Sequence, residues 1–234
     1  MEKICSTDAS RGGFMKSDIK TKVQEFQKIA FPDHRYSSFD YCYNYFFKID
    51  SQQVNSDIEK ACAFLGFYLA SWGMFRGSSF LLQKSYKYFI PVVKYISEIE
   101  PSIWDYKPSD YLEERKRKKV TKIYEDIKEK VIEDDNQAKT LVTKIMLGTI
   151  GIVPAYDEYF CKTFKKVDPK VSKFSVFNED SLIVLGNFYQ KNQKEIDQLS
   201  KKIKTKRFED DSEYLQYPQA KIIDMYGFAN GIND

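Results

Sequence analysis

The sequence predicts a mainly α-helical protein, a single multi-helix globular domain. Three observations carry that expectation. Gly and Pro are sparse, 10 and 7 in 234 residues, too few for a turn-rich β-sandwich. Lys and Glu recur through long stretches and favour helix. In most segments the apolar residues return every three or four positions, the period of a helix with one buried face.

Residues 1–13 are polar and read as a flexible N-terminal tail, leaving 14–234 as the domain. In 16–30 the positions Ile19, Val23, Phe26, Ile29 and Ala30 make an amphipathic helix that Pro32 ends. The segment 37–47 is dense in rings. Ser38 or Asp40 could cap a helix there, but Phe39, Tyr41, Tyr43 and Tyr45 also alternate as in a strand. Asn55 or Ser56 would cap a helix running through Ala70, with Gly73 and Gly77 bracketing its end. A helix is expected over 79–99, kinked or split by Pro91. Pro101 and Pro108 mark a loop around Trp104. A long polar helix over 109–132 carries one narrow apolar stripe, so most of its surface faces water.

Asn136 opens a helix to Leu147, broken over 148–154 and restarting at Pro154, a residue suited to a first helical turn. Asp168-Pro169 closes that unit. The segment 175–207 reads as a helix that Gly186 could bend, and 217–230 as a last helix capped by Gly231. No internal repeat and no linker rich in Gly, Ser and Pro divides the chain.

The formal net charge is only +3. A globally basic nucleic-acid binder would be more extreme, so any such role must rest on local clusters. Cys5, Cys42, Cys62 and Cys161 show no CxxC spacing, and reduced thiols in a cytoplasm are the simplest reading. The N-terminus does not look like a signal peptide. Residues 61–83 carry Arg76 as their sole charge. Their uncharged part, 61–75, is shorter than the roughly 20 apolar residues that span a bilayer, so a buried helix is expected and no membrane partner.

His34 is the single histidine, which excludes a His-rich zinc site or a two-His iron triad. No nucleophile elbow, Walker A loop or dinucleotide fingerprint is present, and no metal or cofactor is implied. Residues 144–160, KIMLGTIGIVPAYDEYF, read as helix, glycine turn, helix. Gly148 and Gly151 permit unusual backbone conformations, and turn amides opening onto a helix can hold a phosphate. This segment resembles the hairpin of helix-hairpin-helix DNA glycosylases. The resemblance implies that the glycine turn grips DNA phosphate and that a downstream aspartate lies at a base-excision pocket. The family's glycines stand two apart, whereas these stand three apart. The family's lysine nucleophile has no counterpart at Ile152 or Val153, and its aspartate would fall near Asp168 rather than Asp157.

Asp157 is the candidate base if it sits in a partly apolar cleft, and otherwise an acid in a helix first turn. Arg76 is the candidate anion clamp, or else half of an ion pair, with Asp157 as one possible partner. Trp72, Ser78 and Ser79 could complete a ligand site beside it. Three basic clusters stand out: six basic residues in 115–122, five in 162–173 and five in 201–207, each with acid runs nearby or a solvated helix face as the plain explanation. The cluster with Lys162, Lys165, Lys166 and Lys170 adjoins the hairpin and is the best candidate for DNA or RNA. The leading expectation is a nucleic-acid- or nucleotide-engaging protein, with base excision as its enzymatic form. The competing one is a non-enzymatic interaction or oligomerisation module, and a homo-oligomer fits either.

Overall fold

A computed structural model describes residues 18–132, 138–167 and 174–232. The N-terminal tail, Asn136, Asp168-Pro169 and Lys170 lie outside the described residues. The first helix, α1, spans Ile19–Ile29, with the Asp18 carboxylate accepting from the Thr21 amide at its start. The ring-dense segment is a helix, α2, Ser38–Phe46. Helical period wins over alternation there because it buries Phe39, Cys42, Tyr43 and Phe46 together.

A short helix α3, Ser51–Ser56, carries a capping box from Asp50 and Gln53. The next helix, α4, spans Ile58–Ser71 and is capped by Asp57, one residue past the caps expected from the sequence. Gly73 closes it at φ +77°, and the Met74 amide returns to the Leu69 carbonyl at 2.9 Å. The helix expected over 79–99 is two 3-10 turns, Phe80–Gln83 and Tyr86–Phe89, followed by α5, Ile90–Glu98. Pro91 sits in the first turn of α5, where its missing N–H costs nothing, so the proline starts a helix instead of kinking one.

Two further 3-10 turns, Pro101–Asp105 and Pro108–Leu112, lead into α6, Glu114–Val131. Then come α7, Ala138–Thr149, and α8, Glu158–Val167. The long helix α9, Glu179–Lys202, is kinked at Asn192. Gly186 instead makes room for Leu112, whose side chain would meet an added Cβ at 2.8 Å. A hairpin that the sequence did not announce follows, β1 Lys204–Lys206 antiparallel to β2 Glu213–Gln216. The last helix, α10, spans Gln219–Ile232 and includes Gly231 rather than ending at it.

One contiguous apolar core joins all of these helices. At its centre are α7, buried from Leu141 onward, and α10, buried on nearly every side. Close approach sets their packing. A Cβ on Gly148 would run into the Tyr68 ring of α4, lying 2.6 Å from its Cζ, and one on Gly227 of α10 would run into the Phe160 ring of α8, lying 3.0 Å from its Cε2. No helix of the described residues is long and apolar enough to cross a membrane.

Candidate functional site

The glycine turn is built for packing. Gly148 lies inside α7, and the turn proper begins at Ile150. Gly151 takes φ +75°, which turns the chain beneath Tyr43 and Pro218. Its amide returns to the Met146 carbonyl at 2.9 Å. The Ala155 amide donates to Asp224 at 3.0 Å and the Tyr156 amide to the Thr143 hydroxyl at 2.8 Å. Residues 150–156 are all buried. The phosphate grip anticipated at Gly148 and Gly151 is therefore corrected: one glycine is helical, and the amide of the other closes a helix end. The second helix also starts later, at Glu158 rather than Pro154.

Asp157 is the residue before that helix. Its Oδ1 accepts from the Phe160 amide at 3.0 Å, and its Oδ2 accepts from the Lys144 ammonium at 3.1 Å. The Lys144 side chain is 4% exposed and that of Asp157 15%. The partner considered for Asp157, Arg76, is elsewhere. Arg76 is exposed, folded over Gly73, and has no ion pair among the described residues.

The group around Arg76 also divides. Trp72 turns inward, with the Lys144 ammonium 4.9 Å and the Lys221 ammonium 4.6 Å from its ring. Its indole N–H is buried with no partner among the described residues. Ser79 is buried and accepts from the Leu81 amide at 3.3 Å, while Ser78 is exposed. Trp72, Arg76, Ser78 and Ser79 thus do not form one pocket.

Sequence reasoning missed the charges that matter most inside. Lys221 and Asp224 pair at 2.8 Å with side chains only 1% and 4% exposed. Asp40 accepts from the Tyr217 hydroxyl and, at 2.9 Å, from the Lys206 amide, fastening β1 and the start of α10 to α2. Burial pushes its carboxyl up to about 6, against the opposing pull of those two donors and of Lys221 and Lys206. The available signals were faint: a Lys and an Asp three apart in an apolar run at 221–224, and a lone lysine inside the apolar helix at 144.

The basic clusters behave differently from one another. In the first, Lys116 meets Asp110 and Glu113, Arg117 meets Glu179, Lys118 meets Glu114, Lys119 meets Glu100, and Lys122 meets Asp126. Five of that cluster's six basic residues are thus answered by acids, and Arg115 has no ion pair among the described residues. In the third, Lys206 faces Glu213 at 3.9 Å and Arg207 stacks on Tyr214 at 4.0 Å.

The middle cluster lines a cleft of about 990 Å³. The period of α8 buries Phe160, Cys161, Thr163 and Phe164 and turns Lys162, Lys165 and Lys166 outward. Lys128 of α6 and Lys139 of α7 join them, against Glu125 and Glu158. Lys162 and Lys165 have no ion pair among the described residues. Lys139 donates to the Phe174 carbonyl at 2.9 Å and lies 3.5 Å from the Cys161 sulfur. Burial pushes the Cys161 thiol up, and the ammonium beside it only partly offsets that. Tyr124 and Phe177 stack at 4.3 Å behind the lysines, both nearly fully buried. Neither Arg76 nor Asp157 lines this cleft.

No three His, Cys, Asp or Glu side chains of the described residues are grouped to hold a metal ion. Comparison with family models, with curated proteins and with solved structures finds no match.

Proposed function

We propose that this protein binds nucleic acid along its phosphate backbone, in the cleft between α6, α7 and α8. The observation that supports this is the convergence of Lys128, Lys139, Lys162, Lys165 and Lys166 on one concave surface with two glutamates opposing them. Phosphate neutralisation by lysines supplies sequence-independent affinity. The rings behind the lysines are packed away, so the cleft recognises charge and shape more than stacked bases.

The base-excision form of this reading needs a carboxylate free to act on a nucleotide. Both oxygens of Asp157 are engaged, and the residue stands outside the cleft. The function supported best is therefore binding without catalysis.

The test is fluorescence anisotropy with a labelled duplex at rising salt. Binding that falls steeply with salt, and that Lys162→Glu combined with Lys165→Glu reduces at least about tenfold, supports the reading. Absence of binding at low salt, or binding that the double variant leaves unchanged, overturns it.

A further inference from the structure

The lysines of the cleft are held in two different ways. Lys162 and Lys165 are exposed, and their ammoniums reach no acceptor among the described residues. Lys139 is half-buried. It donates to the Phe174 carbonyl at 2.9 Å and to the Cys161 sulfur at 3.5 Å. The Cys161 thiol donates to the same carbonyl at 3.1 Å. Cys161 and Phe174 are buried, and the Phe174 ring packs on Tyr156, Phe160 and Phe164. The Lys139 ammonium is thus fixed at the floor of the cleft, while two others stand free at its rim. An ammonium has three N–H donors, so Lys139 keeps one for a ligand. The rotamer freedom that a lysine gives up on binding an anion has, at Lys139, already been lost in folding.

The same space holds two acids. Glu125 and Glu158 are exposed and line the cleft with the lysines. They interrupt the positive surface, so attraction for an anion is concentrated at one spot instead of running along a track. The volume, about 990 Å³, is that of a pocket for a small group, so a duplex rests on the rim and only a part of it descends. A phosphodiester inside a strand carries a sugar on each side, and these hold it at the rim. A terminal phosphate carries one sugar only, and at pH 7 it bears close to two charges.

We propose that the cleft recognises a phosphomonoester at the end of a nucleic-acid strand. Lys139 is the fixed anchor for that phosphate at the floor, and Lys162 and Lys165 meet the adjoining diesters at the rim. This rests on the backbone-binding reading and narrows it to phosphorylated ends.

Fluorescence anisotropy with one internally labelled duplex, carrying either phosphates or hydroxyls at its ends, tests the proposal. The phosphorylated duplex should bind at least about tenfold more tightly, the worth of a charge-assisted hydrogen bond. Lys139→Met should abolish that preference, whereas Lys162→Ala should weaken both duplexes alike. Loss of folded protein lowers both affinities equally, so the ratio between the two duplexes reads the contact and not the stability of the variant. Equal binding of the two duplexes by the wild type overturns the proposal and leaves backbone binding standing. Binding of neither overturns both. A preference that survives Lys139→Met overturns the role of that lysine. A nucleoside monophosphate that competes as well as the phosphorylated duplex overturns the strand end as the source of the phosphate.

Discussion

The ammonium of Lys144 and the carboxylate of Asp157, 3.1 Å apart, tie the middle of α7 to the residue that caps α8. Between them the chain makes its buried turn through Gly151 and Pro154, so the pair fixes the angle at which α8 leaves the core. That angle in turn holds Lys162 and Lys165 toward the cleft. Trp72 and the buried residues of α7 enclose the Lys144 ammonium.

Asp157→Asn is therefore expected to act on stability. The amide can still cap α8, but the buried Lys144 loses its carboxylate partner, and removal of one partner of a buried pair costs roughly 3–5 kcal/mol. Combining it with Lys144→Met should recover a large part of the loss. Urea unfolding of the two single variants and the double variant measures this. An Asp157→Asn protein within about 0.5 kcal/mol of wild type would show that the pair holds nothing.

Gly148→Ala probes the crossing of α4 and α7. Alanine is normally the better helix former by about 1 kcal/mol. Here its methyl would lie 2.6 Å from Tyr68 Cζ, and that ring is buried with its hydroxyl bonded to the Lys144 carbonyl at 3.1 Å. Overpacking should win, with a net loss of about 1–3 kcal/mol. Adding Tyr68→Leu should bring the double variant closer to wild type than the sum of the two changes. A stabilised Gly148→Ala would show that the helices can separate at little cost.

Helical class, the positions of α1, α6 and the last helix, and the basic cluster of α8 could be read from periodicity, because a single buried face repeats every 3.6 residues. The site geometry was less legible. An exposed and a buried lysine look alike in sequence, and three of the acids that answer 115–122, Asp110, Glu100 and Glu179, lie on other segments, where local pattern could not pair them. Gly148 and Gly151 both suggested a turn. Only one bends the chain, and the other makes way for a ring 80 residues earlier in sequence. The hairpin of β1 and β2 had no alternating pattern to reveal it, since its hydrogen-bonding partners include Asp40 and Asn44 of α2.

Asp40 predicts a pH dependence. Its carboxyl, ordinarily near 3.8, is raised to about 6 by burial. A raised value in the folded state means that the native protein holds the proton more tightly than the unfolded chain. The stability contributed by the protonated form is complete below about 4 and is lost as pH rises through about 6. A shift of about two units corresponds to roughly 3 kcal/mol. Asp40→Asn cannot titrate, so the stability difference between variant and wild type should move in the variant's favour by an amount of that order from pH 4 to pH 7. Parallel stability curves for the two proteins across that range would refute it.

The cleft lysines set an upper bound that salt titration can read. Each phosphate neutralised on a duplex steepens the logarithmic salt dependence by about 0.9, so Lys162 and Lys165 together account for a slope of about −1.8 from this cleft. Single replacement of Lys162 or Lys165 by alanine should flatten the measured slope by about 0.9 and weaken all duplex sequences alike, since a phosphate contact reads no base. Replacement of Lys118, which is already paired with Glu114 at 2.6 Å, should change the slope little. The contrast between the two positions is the decisive measurement. Equal effects at Lys118 and Lys162 would mean that net charge alone drives association, and a preference for particular base sequences would mean that some group outside this cleft reads them.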